Sequence, residues 1–466
     1  MQADANPSRA GSHLDANLER LLDPIRHELR PGAQERAKLE QVENEIKSRL
    51  RKTVPADVEI GLVGSTAKGT ALRGNHELDI FILMPKSWPL EEMQAKGLAW
   101  AKKAMRGVKT ELNYAQHPYL KAYIDGVKAD LVPSYKLANF EHLGSAVDRS
   151  QLHTIWVNAR LNDEGRDDVR LLKAFFKAQG VYGAQTRVEG FSGYLCELLI
   201  INYGGFASCL RAMQAWKMPH ALDPAHHHPE GAILKHFPNT PLVVVDPVDS
   251  NRNVAAVVSR TSMARAILAA RSFMENPHRS FFFKEKEVHS PAKLRQIIRE
   301  RGTHTLVLFM PAPPLVEDVL WPQLRKSAQS MVGLLERAEF RVFGHYFWSD
   351  NERAVILFEF MDKELPAVRR AAGPQVWLEK DVNAFLARHK KAHNLHVEHE
   401  RVVAVARREC RTPKELLENA MKKPQKTGIP APFVRAMKKR KWGVATDLLA
   451  DEGLREVASD YFSRRL

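Results

Sequence analysis

Residues 64–84 read GSTAKGTALRGNHELDIFILM and place a glycine-rich turn ahead of an apolar strand. Side chains alternate between the two faces of a strand, so Glu77 and Asp79 share one face while Leu78 and Ile80 point into a core. Two neighbouring carboxylates repel each other unless a cation lies between them, and their hard oxygen atoms suit Mg²⁺ that also binds phosphate. The pattern therefore predicts a metal-dependent site for a nucleotide triphosphate.

The turn ahead of this strand offers groups that bind phosphate. Gly64 and Ser65 precede two threonines and Lys68, which together supply backbone N–H groups, hydroxyls and one ammonium. The spacing is not that of a P-loop, which disfavours ATPase or kinase chemistry of that kind. A third carboxylate, Asp130 in KADLVP at 128–133, is predicted to complete a two-metal site from a neighbouring strand.

An E-x-D pair alone is usually two solvated carboxylates on the outer face of a sheet. Here G-S precedes E-x-D by eleven residues, the E-x-D lies inside an apolar strand, and D-x-V-P follows in a later strand. This combination favours the catalytic interpretation of Glu77, Asp79 and Asp130.

Composition sets the broad class of the protein. A chain of 466 residues exceeds the size of one compact core and predicts three domains. A net charge of +15 favours a polyanionic partner such as a nucleic acid. Three cysteines without paired spacing indicate neither a zinc site nor a disulfide framework, and the N-terminus lacks a signal peptide's apolar core. A cytoplasmic protein without membrane spans is expected.

Periodicity gives the order of elements. It predicts two helices over 13–51, strands over 57–63 and 76–84, and a hairpin over 119–133 that turns at an Asp-Gly pair. The first domain is therefore expected to be a small sheet with helices.

Beyond residue 150 the pattern changes to amphipathic helices, one ended by Gly180 and another started by Ser192 as its N-cap. This helical region is expected to reach about residue 280. A strand-helix-strand-strand order follows and suggests a small α+β sandwich. The last ninety or so residues are predicted to be basic and helical, with the cluster MKKRKW at 437–442.

The segment AHHHPEG at 225–231 is compositionally unusual. Three adjacent histidines can bind a metal adventitiously. Because they lie between prolines and have no spaced partner, a loop is the preferred interpretation.

These motifs resemble those of the class I, archaeal-type CCA-adding enzymes, members of the polymerase β-like nucleotidyltransferase superfamily. The similarity continues through ADLVPSYKL, SAVDRSQLH, DVRLLKAFFKAQGVYGA, GFSGYLCELLI and VVVDPVDSNRNVAA, and it covers nearly the whole chain. The resemblance implies an α+β multidomain fold. It consists of a nucleotidyltransferase catalytic head with a mixed sheet at 1–150, a helical nucleotide-binding neck at 151–280, and a small α+β body plus a basic helical tail at 281–466 that bind tRNA.

The resemblance also implies roles for single residues. The metal-binding catalytic carboxylates would be Glu77, Asp79 and Asp130. Contacts to the incoming nucleotide would come from Ser65, Lys68, His153, Lys173, Tyr182 and Arg252. Arg252 would face the base, and Lys68 stands where the family usually has an arginine, so it keeps the charge but loses the bidentate fork. The acceptor-arm phosphates would be neutralised by Lys422, Lys423, Lys438, Lys439, Arg440 and Lys441.

Each neck residue also has a structural interpretation. Lys173 would then be a solvated helix residue, Tyr182 would pack after Gly180, and His153 would be an ordinary core histidine. Arg252 would be an ordinary salt-bridge residue of the neck. The basic residues of the tail would form a solvated helix surface.

The activity implied by the resemblance is template-independent addition of C, C and A from CTP and ATP to the 3′ end of tRNA, with release of pyrophosphate. Two Mg²⁺ ions are the implied cofactors, the tRNA acceptor arm is the implied partner, and a homodimer stays open. Two alternatives also stay open. One is another RNA-directed, oligoadenylate-forming or cyclic-nucleotide-forming nucleotidyltransferase, and the other is a relict, non-catalytic RNA-binding protein.

Overall fold

A computed structural model describes residues 7–114, 118–137, 149–229, 231–284 and 288–463. The chain divides into two compact units, Met1–Glu285 and Lys286–Leu466. The three-part division expected from the sequence stays a prediction. The SAVD of the SAVDRSQLH motif, and Glu230 of the histidine-rich segment, lie outside the described residues.

The first part of unit 1 contains a five-stranded mixed sheet with helices. Its elements are α1 (Pro7–Leu29), α2 (Ala33–Arg51), β1 (Glu59–Val63), α3 (Gly64–Ala67), β2 (Glu77–Met84), α4 (Leu90–Ala104), β3 (Lys109–Tyr114), β4 (Pro118–Ile124) and β5 (Val127–Tyr135). The strand order is β1-β2-β5-β4-β3, and β2 with β5 is the parallel pair. Both predicted N-terminal helices, both predicted strands and the hairpin are confirmed.

The second part of unit 1 is mainly helical. Its elements are α5 (Arg149–Asn158), α6 (Asp163–Ala178), α7 (Gly193–Tyr203), α8 (Phe206–Gln214), β6 (His220–Leu222), α9 (Ile233–His236), β7 (Leu242–Asp246), β8 (Asp249–Asn253) and α10 (Arg260–Glu275). The predicted caps are confirmed: the Ser192 hydroxyl accepts from the Leu195 N–H, and Gly180 has a positive φ of 68°. The small sheet β6-β7-β8 was missed, because a short buried apolar run such as residues 242–245 cannot be told from a buried helix by periodicity.

The described residues of unit 2 form two sheets. Its elements are α11 (Pro291–Arg301), β9 (His304–Pro311), α12 (Glu317–Arg337), β10 (Val342–Ser349), β11 (Arg353–Phe360), β12 (Val368–Gln375), α13 (Glu379–Arg388), β13 (Asn394–Glu398), β14 (Arg401–Arg407), α14 (Pro413–Met421), α15 (Ala431–Ala436), β15 (Lys441–Gly443) and α16 (Glu452–Phe462). The sheet orders are β10-β11-β9-β15 and β12-β14-β13.

The predicted strand-helix-strand-strand order is confirmed by β9, α12, β10 and β11. The prediction that the last ninety residues are helical is wrong over residues 394–407, where β13 and β14 pair, and over residues 441–443, where β15 pairs with β9. The sequence of β13, NLHVE, alternates polar and apolar residues, so a strand signal was present over these five exposed residues and the helical prediction overlooked it.

Among the described helices, none is by itself long and apolar enough to cross a membrane. The pair α7 and α8 reaches that composition when taken together, but the two helices are bent by 90°.

Candidate active site

The parallel pairing of β2 with β5 brings two carboxylates side by side. Asp79 and Asp130 are register partners in this pair, and Glu77 is the partner of Lys128. Leu78 and Ile80 lie in the core beneath, as the alternation predicts. Asp79 is half-buried, whereas Glu77 is exposed and accepts a hydrogen bond from Lys128 Nζ at 2.6 Å.

The surroundings of Asp79 and Asp130 disfavour the ionised forms of both carboxylates. Burial raises the pKa of Asp79 to about 6, and the charges of Asp130 and Glu77 add to this shift. Burial also raises the pKa of Asp130, with Lys121 and Lys128 opposing and Glu77 reinforcing the shift. Both groups therefore lack part of the positive charge that their ionised forms require.

The chemistry of this face fits a divalent cation. Asp130 Oδ1 is buried and has no hydrogen-bond partner among the described residues, which is costly for a carboxylate oxygen that nothing else satisfies. Within the same described ranges, no three His, Cys, Asp or Glu side chains already converge as a metal site. Asp79 and Asp130 are thus the preformed pair, and Glu77 is held by Lys128.

The turn after β1 lies directly against this pair. Gly64 has a φ of 78°, and a Cβ added there would lie 2.0 Å from Asp79 Oδ2. No side chain fits at this position, so glycine is required both by the backbone conformation and by the close carboxylate. Ser65, half-buried in the short helix α3, accepts from the Thr70 N–H through its carbonyl at 2.9 Å. The predicted turn is therefore one short helical turn.

Behind this turn, two buried lysines share one buried carboxylate. Lys68 Nζ lies 2.5 Å from Glu197 Oε2, and Lys173 Nζ lies 3.4 Å from Glu197 Oε1. Thr70 donates its hydroxyl to Glu197 Oε1 and accepts from Lys173. The structure thus places Lys68 and Lys173 on Glu197; it gives Lys173 no solvated position, so that structural interpretation is wrong.

The charges of this cluster depend on one another. Burial would raise the pKa of Glu197, but Lys68 and Lys173 lower it overall, so the group stays ionised. Burial lowers the pKa of Lys173, and Glu197 partly opposes that shift. We take the ion-paired state as the one present near neutral pH, because one carboxylate faces two ammonium groups.

A second buried carboxylate, Asp246 at the end of β7, binds two of the predicted neck residues, His153 and Arg252, together with Tyr194. It accepts from Arg252 NH1 at 2.6 Å and from Tyr194 Oη at 3.1 Å, and its Oδ2 lies 2.9 Å from His153 Nε2. Burial would raise the pKa of Asp246, but the hydrogen bond and charge of His153, with hydrogen bonds from Arg252 and the Val248 N–H, lower it to about 2. Burial lowers the pKa of His153.

Tyr194 links the two buried clusters. Its ring stacks on His153 with centroids 3.8 Å apart, and Lys68 Nζ lies 5.4 Å from the Tyr194 ring centroid. Tyr182 lies beside the start of α7, where its hydroxyl would be 3.2 Å from a Cβ added to Gly193. The predicted residues of the turn and neck are therefore neighbours in space.

The basic cluster at 437–442 is mixed in character. Lys438, Lys439 and Lys441 are exposed, whereas half-buried Arg440 donates from NH1 to the Met437 carbonyl at 3.0 Å. Three lysines can therefore face a polyanion, and Arg440 stabilises the local turn. Lys422 and Lys423 are also exposed.

Sequence reasoning did not single out Glu197 or Asp246. A signal for Glu197 was present, because it is the one acidic residue in the apolar run GYLCELLI and a buried charge must be paired. Asp246 likewise follows three valines at the end of a buried strand. An isolated acid within an apolar segment is thus the pattern that predicts such clusters.

Comparison with known protein families covers most of the chain. Residues 40–153 match the family model for the nucleotidyltransferase domain, and residues 167–283 match that for the second domain of tRNA nucleotidyltransferase. Residues 301–444 match the model for the C-terminal domain of CCA-adding enzymes. Matches to all three families follow one another along this single chain.

Individual relatives agree with the family models. A CCA-adding enzyme of Archaeoglobus fulgidus is 37% identical over 85% of this chain and 88% of its own length. CCA-adding enzymes of Methanoregula boonei and Methanothermobacter thermautotrophicus are each 38% identical, over 78% and 79% of this chain and 78% and 80% of their own lengths. On this evidence the chain belongs to the family of CCA-adding enzymes, which are nucleotidyltransferases.

Proposed function

We propose that this chain adds C, C and A from CTP and ATP to the 3′ end of tRNA and releases pyrophosphate. The observation that carries the proposal is the register pairing of Asp79 with Asp130. It places two carboxylates with raised pKa values beside the Gly64 turn. The relatives named as CCA-adding enzymes supply the reaction class.

We infer that Asp79, Asp130 and Glu77 hold two Mg²⁺ ions. When bound, these ions favour ionisation of the attacking 3′-hydroxyl and offset charge on the leaving pyrophosphate. The Gly64–Ser65 turn brings backbone N–H groups and the Ser65 hydroxyl to the triphosphate, and the ammonium of Lys68 lies behind the turn. His153 and Tyr182 are assigned to the triphosphate and sugar. Lys173, whose buried ammonium contacts Thr70 and Glu197, is assigned to supporting the turn from behind.

The decisive experiment uses tRNA that ends at the discriminator base. Incubation with CTP alone should extend it by two residues, ATP alone should extend it little, and both nucleotides together should give three additions. A parallel incubation of the four nucleotides without tRNA should give no product. Oligoadenylates or cyclic dinucleotides in that control would favour the first alternative activity, and no product in any reaction would favour a relict RNA-binding protein.

Arg252 is proposed to select the base. Its guanidinium carries several N–H donors, so the bond to Asp246 leaves donors for acceptors that cytosine and adenine share, while guanine and uracil present different edges. Asp246 fixes the direction of this group.

Arg252→Ala should therefore lower kcat/KM for CTP and ATP together and narrow their advantage over UTP and GTP. A charged hydrogen bond is worth about 1.5–3 kcal/mol, so the expected change is roughly ten- to hundredfold. Single-turnover addition of each nucleotide to tRNA ending in zero, one or two cytosines measures it. Arg252→Lys should keep the charge near Asp246 yet lose selection, whereas Arg260→Ala, at an exposed arginine on α10, should change nothing. Unchanged selection in Arg252→Ala would leave Arg252 as a neck ion-pair residue.

We propose that Lys438, Lys439 and Lys441 bind tRNA phosphates without reading sequence, and that Arg440 shapes the segment that carries them. Replacing the three lysines with alanine should weaken tRNA affinity and reduce the slope of log K against log salt by about two to three, without changing the nucleotides added. The double variant Lys102→Ala/Lys103→Ala, at exposed positions on α4, is the control. An unchanged slope in the triple variant would show that these three lysines do not bind tRNA phosphates.

We further propose the division into a head at 1–150, a neck at 151–280, and a body with tail at 281–466. The homodimer and the cytoplasmic location stay predictions. Sedimentation at several protein concentrations tests the homodimer directly.

A further inference from the structure

The histidine-rich segment, which the proposed function leaves without a role, lies against the strands that carry Arg252. We call residues 223–228 the histidine loop. β6 and β7 pair in parallel, with Leu222 opposite Val244, so their carboxyl ends meet at one edge of the small sheet. The loop that leaves β6 therefore reaches the turn that follows β7.

Asp223 fixes the shape of this loop. Its Oδ2 accepts from the His228 N–H at 2.8 Å, and its carbonyl accepts from the His226 N–H at 3.1 Å. His228 also contacts His236, with ring centroids 4.9 Å apart. These contacts hold two consecutive imidazoles, those of His227 and His228, toward the β7–β8 hairpin.

Both imidazoles bond to the backbone of that hairpin. His227 Nε2 lies 3.0 Å from the carbonyl oxygen of Pro247, and His228 Nε2 lies 2.7 Å from that of Ser250. Carbonyl oxygens only accept, so both Nε2 atoms donate. One bonded carbonyl is in the turn and the other is in β8, so the loop holds the hairpin at two points.

The pairing of the hairpin is irregular near its turn. Its ladder pairs Val245 with Asn253 and Asp246 with Asp249, and the register shifts between these pairs. Asp246 and Arg252 both lie within this irregular part, and their ion pair at 2.6 Å sets the direction of the guanidinium. A small displacement of β8 would therefore move the group proposed to face the base.

We propose that His227 and His228 are positioning residues for nucleotide choice. Their two hydrogen bonds hold the β7–β8 hairpin so that Arg252 keeps one orientation toward the incoming base, although neither imidazole touches the nucleotide. A group held in place beforehand spends less binding free energy on ordering, which favours the matched bases over the others. This inference rests on the proposed function, in which Arg252 selects the base.

The test compares an apolar and a hydrogen-bonding replacement. His228→Leu removes the donor and should narrow the advantage of CTP and ATP over UTP and GTP by roughly three- to tenfold, the value of about one net hydrogen bond. His228→Gln keeps an N–H donor and should restore most of the selection. His227 is exposed, so His227→Leu should not disturb the core. This variant should also narrow the advantage of CTP and ATP over UTP and GTP.

The matched control is His226→Asn. His226 is exposed and has a positive φ of 54°, which asparagine tolerates, so selection should stay as in the wild type. Single-turnover addition of each nucleotide to tRNA ending in zero, one or two cytosines is measured alongside the thermal midpoint.

The outcomes separate this inference from the proposed function. A wild-type protein that adds neither C nor A contradicts the proposed function itself. A wild-type protein that selects C and A, with His228→Leu and His227→Leu selecting equally well, overturns the positioning role. Equal losses for all four nucleotides with a lower thermal midpoint also overturn it, because the loop would then only stabilise the fold.

Discussion

Asp79→Asn should abolish nucleotide addition, with a loss of roughly a thousandfold or more, and should leave tRNA affinity nearly unchanged. The expected size follows because metal ligands supply several kcal/mol of transition-state stabilisation and about 1.4 kcal/mol corresponds to tenfold in rate. Asparagine preserves the volume beside Gly64, where no added atom fits, so the change removes charge and little else. Asp130→Asn should behave in the same way. Single-turnover addition and tRNA titration measure the two effects separately.

A stability measurement tests the same site without relying on activity. In EDTA, Asp79→Asn should raise the thermal midpoint near neutral pH, because burial, Asp130 and Glu77 raise the pKa of Asp79 and disfavour its ionised form. Added Mg²⁺ should then raise the midpoint of the wild type more than that of the variant. Glu59→Gln, an exposed carboxylate at the far end of β1, is the control. In the activity assay, an Asp79→Asn protein that adds nucleotides at more than a tenth of the wild-type rate would contradict a metal role for Asp79.

The carboxylate face could be predicted from the sequence because it depends on local geometry. Strand alternation alone puts Glu77 and Asp79 on one face, and D-x-V-P marks a later strand that can lie beside the first. The parallel register of Asp79 with Asp130 completes the arrangement. Local patterns also predicted the Asp125–Gly126 turn, whose two residues have positive φ values, and the N-cap at Ser192.

The buried charge clusters could not be predicted in the same way. Lys68 and Glu197 are 129 positions apart in the chain, and their pairing depends on the packing of α7 behind the turn. The sequence suggested that Lys68 and Lys173 contact the substrate, whereas in the structure both ammonium groups pair with Glu197. Packing between distant elements therefore decides which charges are already neutralised before a ligand arrives.

Glu197→Gln should lower the stability of unit 1 by about 3–5 kcal/mol, because it removes one partner of a buried ion cluster and leaves Lys68 and Lys173 without a counter-charge. The amide keeps the size of the side chain, so the loss reflects charge and not a cavity. Calorimetry should show a lower midpoint for the transition that includes the neck. Glu275→Gln, an exposed acid in the last turn of α10, should leave that transition unchanged.

The dependence of this loss on pH separates a charge effect from a packing effect. Burial already lowers the pKa of Lys173, and without Glu197 the main charge that opposes this shift is lost, so the folded variant binds fewer protons than its unfolded chain. Stability rises with pH wherever the unfolded state binds more protons, so the difference between variant and wild type should shrink as the pH is raised from about 7 toward the ordinary lysine range. The Glu197 carboxylate of the wild type, whose pKa is lowered, stays ionised throughout that window and contributes no opposing slope. A difference that is constant with pH would show that removing the Glu197 charge leaves the protonation of the two lysines unchanged, which would contradict this account of the loss.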